Sequence, residues 1–284
     1  MTHSKLRRLN IMATQLPSTL RLLDRSNDTE SKPILYAFAL EELLCRAIGQ
    51  GTSPILHIWR HPRAFVMGLR DSRLPSAANA DEWLRSQGYD TAVRNSGGAA
   101  VPLDKGVVNI SLLLPKEAGD MEHRKDFDLM VGVIREVMAS ITDRIDQGEI
   151  IGSFCPGEFD LSIGGRKFCG IAQRRQQLAI SVQAFLIVEG RGEEKAALAR
   201  GFYERAAISS TKHDYPIVVQ ESMSSLAECL HLPLTAELFV EQLRQEMNNR
   251  GIPFAQAEEI AGYPDDSQIH EMITLMKERY AISS

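Results

Sequence analysis

The sequence predicts an α+β protein, with mixed or antiparallel β-sheets flanked by helices and a helical C-terminal appendage. Three observations carry that reading. Strand-length apolar runs alternate with helical periodicity through the first two hundred residues. Several of those runs are joined by tight-turn signals, which favours hairpin-rich mixed sheets over a doubly wound parallel one. Beyond about residue 191 the pattern is helical, and strands followed by a run of helices fit the α+β class.

The elements follow in order. Residues 1–16 read as a loose leader and Ser18–Asp24 as a first strand. Pro33–Ile48 has helical apolar spacing in Leu35, Phe38, Ala39, Leu43 and Ile48, and Gly49 and Gly51 stop it. Ile55–Arg60 and Ala64–Leu69 read as two strands of a hairpin turned by His61-Pro62-Arg63. Asn79, with Glu82 three residues on, signals the start of a short helix ended by Gly88. Tyr89–Val93 is strand-like, Arg94–Ala100 is a small-residue loop, and Val107–Leu114 is an apolar strand. Helical spacing returns over Asp126–Ile141. Glu158–Ile163 and Lys167–Gln173 flank Gly164-Gly165, a two-residue hairpin signal. Leu178–Val188 is another strand, and helices are expected over Glu193–Glu204, Ser222–Leu230, Ala236–Met247 and Ser267–Tyr280.

Composition limits the function. The chain has 284 residues, 44% hydrophobic and 24% charged, enough for a sizeable core. Its net charge of -5 argues against nucleic acid as the main partner. No apolar run approaches the roughly 20 residues that span a bilayer, so no membrane role is expected. Cys45, Cys155, Cys169 and Cys229 form no CxxC pair, which disfavours zinc and a disulfide scaffold and fits a reducing cytoplasm. No metal site is expected.

The stretch Gly152–Arg175 carries the chemistry. Cys155 precedes Pro156-Gly157, a turn signal, and a turn places its thiol at the surface. A nucleophilic thiol needs access and a nearby positive charge to favour its thiolate. Lys167, on the next strand, supplies the charge. Cys169 is the rival thiol. In a regular strand it shares a face with Lys167, but Phe168, Gly170 and Ile171 around it read as packed strand. Cys45 and Cys229 read as packing residues. Arg60, Arg63, Arg70, Arg166, Arg174 and Arg175 could form a positive rim for an acidic partner.

Two motifs together resemble a known family. Arg94-x-Ser96-Gly97-Gly98, followed by Leu103-Asp104-x-Gly106 and Asn109, resembles the arginine–serine–glycine signature of lipoate–protein ligases. Gly165-Arg166-Lys167-Phe168-Cys169-Gly170-Ile171-Ala172-Gln173-Arg174 resembles the segment bearing that family's essential lysine. The resemblance covers roughly residues 35–200 and implies the catalytic fold shared by biotin and lipoate ligases and octanoyltransferases. On that basis residues 17–205 form an acyltransferase catalytic domain and 206–284 a helical appendage. Val93, Ala99 and Leu103 stand where the ligases carry arginine, glycine and histidine. With Cys155 upstream of the lysine hairpin, the chain is most similar to the cysteine-using amidotransferases of lipoate assembly.

The resemblance implies a reaction. Cys155 attacks an octanoyl group held in amide linkage on the glycine cleavage H protein, and the acyl-thioester passes it to a lysine of an E2 lipoyl domain. No cofactor and no ATP are implied. Lys167 favours the thiolate and orients the carbonyl. Arg94, Ser96, Gly97, Gly98 and Ala99, with Gly170, Ile171 and Ala172, bind the acyl group. The leaving amine needs an acid, for which Lys167, Asp160 and Asp104 are candidates. An octanoyl-ACP-dependent transferase using the same cysteine and an ATP-dependent lipoate ligase are the alternatives.

Overall fold

The computed structural model describes residues 14–28, 32–208, 210 and 215–282. Most of the expected leader, residues 1–13, lies outside the described residues.

The strands are β1 (Arg21–Arg25), β2 (Ile55–Trp59), β3 (Arg63–Met67), β4 (Asp90–Val93), β5 (Val101–Asp104), β6 (Val107–Pro115), β7 (Asp146–Gln147), β8 (Leu161–Ile163), β9 (Arg166–Arg175) and β10 (Ala179–Ile187). The helices are α1 (Leu35–Ile48), α2 (Ala77–Ser86), α3 (Arg124–Met138), α4 (Gly192–Ala206), α5 (Leu226–Leu230), α6 (Ala236–Asn249) and α7 (Asp266–Arg279). Seven strands form one sheet in the order β1-β2-β6-β10-β9-β8-β7, and β4-β3-β5 form a second. Among the strand pairs of the described residues, β1–β2 and β3–β4 are parallel and the rest antiparallel, so both sheets are mixed, as expected.

The large sheet is buried on both faces, and the side-chain alternation of its central strands sorts residues between two cores. From β6, Val108, Ile110, Leu112 and Leu114 face the core formed with α3 and α6. Val107 and Leu113 face the other core, which contains α1, α2, α4, α7 and the small sheet. Strand β10 divides the same way: Ile180, Val182, Ala184 and Leu186 join the first core, while Ala179, Phe185 and Ile187 join the second. Helix α1 is buried on nearly every side, Glu41 and Glu42 included.

Some expectations need correcting. His61-Pro62-Arg63 does not close a hairpin, because β1 and β6 already occupy both edges of β2 and β3 pairs instead with β4 and β5. Helix α2 starts at Ala77, two residues before Asn79, and no side chain caps it. Residues 101–104, to which the sequence pattern assigns no element, form β5. Its Pro102 is tolerated because β5 is an edge strand, pairing only with β3. The Gly164-Gly165 turn is as expected: Ile163 pairs with Arg166, and both glycines have positive φ.

Candidate active site

Cys155 lies in the loop between β7 and β8 with φ 47°, in the left-handed region that a non-glycine residue adopts at a cost of roughly 1–2 kcal/mol. A turn is present, as the Pro-Gly signal implies, but the residue is only 7% exposed. The surface thiol expected from sequence is therefore a buried one. Sγ accepts hydrogen bonds from Arg94 Nη2 and from the Ala99 amide, each at 3.3 Å. These two donors favour negative charge on sulfur.

Lys167 is fully buried. Its three ammonium hydrogens match three acceptors: Phe154 O at 2.9 Å, Cys155 O at 2.6 Å and Asp160 Oδ2 at 2.8 Å. The ammonium thus holds the backbone of Cys155 and makes no hydrogen bond to its sulfur. Asp160 closes the other side of the turn, accepting from the Gly157 amide at 2.9 Å. Burial pushes the Asp160 carboxyl up to about 6, against the pull of Lys167.

Cys169 does not share the face of Lys167. Leu161 pairs with Cys169 but Ser162 pairs with Lys167, so Phe168 is an extra residue in β9 and the alternation resets there. Phe168 and Cys169 join the core on the α3 side. Burial raises the Cys169 thiol well above its ordinary value, as it does for Cys45.

The glycine loop is fixed from several directions. Gly97 donates to Gln173 O at 3.2 Å, and Asn95 donates to Glu42, which also holds Arg174. Gly98 has φ +90°, and a Cβ there would stand 2.5 Å from Arg94 Nη2 and 2.7 Å from Cys155 Sγ. Only glycine fits. A Cβ on Gly170 would meet the Phe185 ring at 2.5 Å.

A cavity opens beside the thiol. It is lined by Cys155, Arg94, Gly170, Ile171, Ala172, Phe185, Val66, Val101, Leu103, Phe38 and Trp59, with Asn109, Ser111 and Gln183 on its sheet face. Among the expected binding residues, Arg94, Gly170, Ile171 and Ala172 are on this wall. Gly98 and Ala99 touch the sulfur side, whereas Gly97 binds β9 and Ser96 is buried with its hydroxyl unpartnered. Arg94 Nε is also buried without a partner, leaving an unused donor next to the thiol. Leu103 is an apolar wall residue, but Asp104 turns away to pair with Lys195 at 2.6 Å. Of the six arginines in the expected rim, Arg60, Arg174 and Arg175 are engaged in intramolecular ion pairs.

Sequence reasoning missed the buried carboxylate under this cavity. Glu41 accepts from His57 Nδ1 (2.9 Å), Trp59 Nε1 (3.1 Å), Ser181 Oγ (3.3 Å) and Gln183 Nε2 (2.6 Å). Burial raises its carboxyl, but the hydrogen bonds from His57, Ser111 and Gln183 outweigh that and leave it lowered. The signal was a polar pair two residues apart in each of two otherwise apolar strands: Asn109/Ser111 and Ser181/Gln183. Tyr203 and Asp71, also missed, back the glycine loop from α4 and from the turn before α2.

This fold is that of a lipoate-ligase type of catalytic domain, and the family model described as lipoyl protein ligase A/B catalytic domain matches residues 33–248. The chain belongs to that family. Among its relatives, the octanoyl-GcvH:protein N-octanoyltransferase of Lysinibacillus sphaericus (strain C3-41) is 40% identical over 227 residues, 79% of this chain and 82% of that protein. The enzyme of the same name from Exiguobacterium sibiricum is 41% identical over 76% of this chain and 79% of its own length. A lipoate-protein ligase A crystallised with ATP shares the fold at TM-score 0.65 and 17% identity, covering 94% of this chain and 97% of that one.

Proposed function

We propose that this acyltransferase moves an octanoyl group from a lysine of the glycine cleavage H protein to a lysine of E2 lipoyl domains, through a thioester on Cys155. One observation carries the mechanism: a buried thiol that accepts two hydrogen bonds from Arg94 and Ala99 and lines a cavity with Trp59, Val66, Val101 and Leu103 on its apolar walls. The relatives' shared name supports the donor and the acyl group.

The cysteine sulfur bonds to the amide carbonyl carbon, and the tetrahedral oxyanion collapses with cleavage of the C–N bond. The proton lost by the thiol equals the one gained by the leaving lysine amine, so the step balances without ATP or water. The acceptor lysine reverses these events. Arg94, which lines the cavity and keeps its Nε unpartnered, offers a donor to the developing oxyanion. Lys167 holds the carbonyls of Phe154 and Cys155 and so keeps the nucleophile in its left-handed conformation. Burial of the acyl chain against Trp59, Val66, Val101 and Leu103 contributes about 0.8 kcal/mol per methylene. Four free cysteines suit a cytoplasmic setting, and no helix among the described residues is long and apolar enough to cross a membrane.

The test is a donor panel with a lipoyl domain as acceptor: octanoylated H protein, octanoyl-ACP, and octanoate with ATP. Transfer from octanoylated H protein alone, with an octanoyl adduct mapped to Cys155 by mass spectrometry, is the expected result. Activity confined to octanoyl-ACP, or to octanoate with ATP, assigns the chain to the corresponding alternative. An adduct on Cys169 removes Cys155 from its role.

A further inference from the structure

We propose that Tyr203 and Asp71 are positioning residues for the Cys155 thiolate, acting through the peptide plane between Ala99 and Ala100. This rests on the reading of Cys155 as the nucleophile. The plane is pinned at both edges. Its carbonyl, Ala99 O, accepts from Arg94 Nη2 at 2.7 Å, and its amide, Ala100 N–H, donates to the Tyr203 hydroxyl at 3.1 Å. The same Arg94 Nη2 reaches Cys155 Sγ at 3.3 Å, and the preceding amide, Ala99 N–H, reaches it at 3.3 Å. Displacement of this plane therefore takes away the acceptor that orients Arg94 Nη2 at the sulfur, and it is joined through the Ala99 Cα to the plane that carries the second donor.

Tyr203 is itself held. Its hydroxyl donates to Asp71 Oδ1 at 3.0 Å, and Asp71 Oδ2 accepts from the Gly68 amide at 2.7 Å. Gly68 packs against the carbonyl of Gly98 with no space for a side chain, so the brace touches the loop at a second point. Tyr203 and Asp71 are both buried, and the Tyr203 ring packs against Phe202 and Tyr215. Burial raises the Tyr203 phenol well above its ordinary value, so it stays a neutral donor at working pH. The hydroxyl is far more than core filling requires: a phenylalanine packs equally well and needs no partners. Its two bonds make sense as a clamp on a plane whose other edge holds Arg94 Nη2, a donor to the nucleophile.

Tyr203→Phe removes the hydroxyl and keeps the ring. Two readouts are taken: steady-state transfer from octanoylated H protein, and the rate of Cys155 alkylation by iodoacetamide from pH 5 to 10, which needs no acyl donor. With circular dichroism unchanged, kcat should fall at least about tenfold with KM within about twofold, the pattern of a group acting on the reacting atoms rather than on substrate binding. The alkylation midpoint should move up in pH. Asp71→Asn keeps one acceptor and should fall between wild type and Tyr203→Phe in both readouts, and it carries the test if Tyr203→Phe does not fold. Unchanged alkylation profiles in the folded variants overturn the proposal. If wild type alkylates at Cys155 and the variants shift its midpoint, but no octanoyl transfer is seen, the brace stands and the proposed reaction falls.

Discussion

Asp160 and Lys167 show how an ion pair can serve a turn rather than a surface. Both are buried, and between them they hold three backbone groups of the segment 154–157. An isolated buried pair often does not recover the cost of desolvating two charges, but here each charge also takes hydrogen bonds to the backbone around the left-handed Cys155. The desolvation remains visible in the carboxyl, raised to about 6 in the fold from an ordinary value of 3.8. The sign of its linkage follows. A carboxyl that binds its proton more tightly when folded lowers stability as pH rises from about 4 through 6, by up to about 3 kcal/mol. Asp160→Asn carries no such titration. Thermal melts between pH 4 and 8 should therefore show a wild-type loss across pH 4–6 that is missing from Asp160→Asn, and parallel curves for the two proteins would contradict the assignment. Gly98 is the companion constraint on the same sulfur, because any Cβ there collides with both Arg94 and Cys155.

Strands β6 and β10 place a ligand cavity inside a core. Their outward residues on the α3 side are uniformly apolar, but toward α1 the series is broken by Asn109 and Ser111 and by Ser181 and Gln183. Glu41 of α1 satisfies much of this polar set and also fixes the indole of Trp59, which forms a cavity wall with Phe38 at 5.5 Å between ring centroids. That wall should limit acyl length. Trp59→Phe removes part of the ring and its bond to Glu41. If the freed space admits two more methylenes, the decanoyl-to-octanoyl ratio of Cys155 acylation should rise by about tenfold, from about 0.8 kcal/mol per CH₂. Acylation by thioesters of graded length, read by intact mass, checks this, and equal losses at all lengths would place the limit elsewhere.

Much of this architecture was readable from sequence, and the failures have specific causes. The strands, the long helices and the diglycine turn announced themselves by periodicity and turn chemistry. Local pattern did not reveal which sheet β3 joins, because that depends on the occupied edges of β2. Nor did it reveal the extra residue at Phe168, which turns Cys169 away from Lys167. The cysteine and lysine were visible as a pair, but Arg94 and the Ala99 amide, which touch the sulfur, are about 60 residues upstream and meet it only through the packing of two sheets.

Two cores share one sheet, and the C-terminal helices contribute to both. Phe239, Val240, Leu243 and Met247 of α6 join the core that includes α3, while Ile269, Met272, Ile273 and Met276 of α7 join the one that includes α1. Helix α1 bears Glu41 under the cavity and Glu42 against the glycine loop, so α7 supports the site from behind. Tyr36 and Lys32 also bond Asp266 at the start of α7. We propose on these grounds that residues after the expected boundary near 205 belong to the folding unit of the catalytic domain. The four α7 side chains, each worth about 1.5–3 kcal/mol on full burial, sum to about 6–12 kcal/mol, comparable with the 5–15 kcal/mol that typically stabilises a domain. A chain ending at Pro264 also leaves the apolar back of α1 in water. That truncation should be insoluble or lack a cooperative melt, and Met272→Asp in the full chain should lower the melting temperature sharply without touching Cys155. A soluble, cooperatively melting chain of residues 1–264 that still forms the octanoyl adduct on Cys155 would show instead that α7 is dispensable and that the active-site core ends before it.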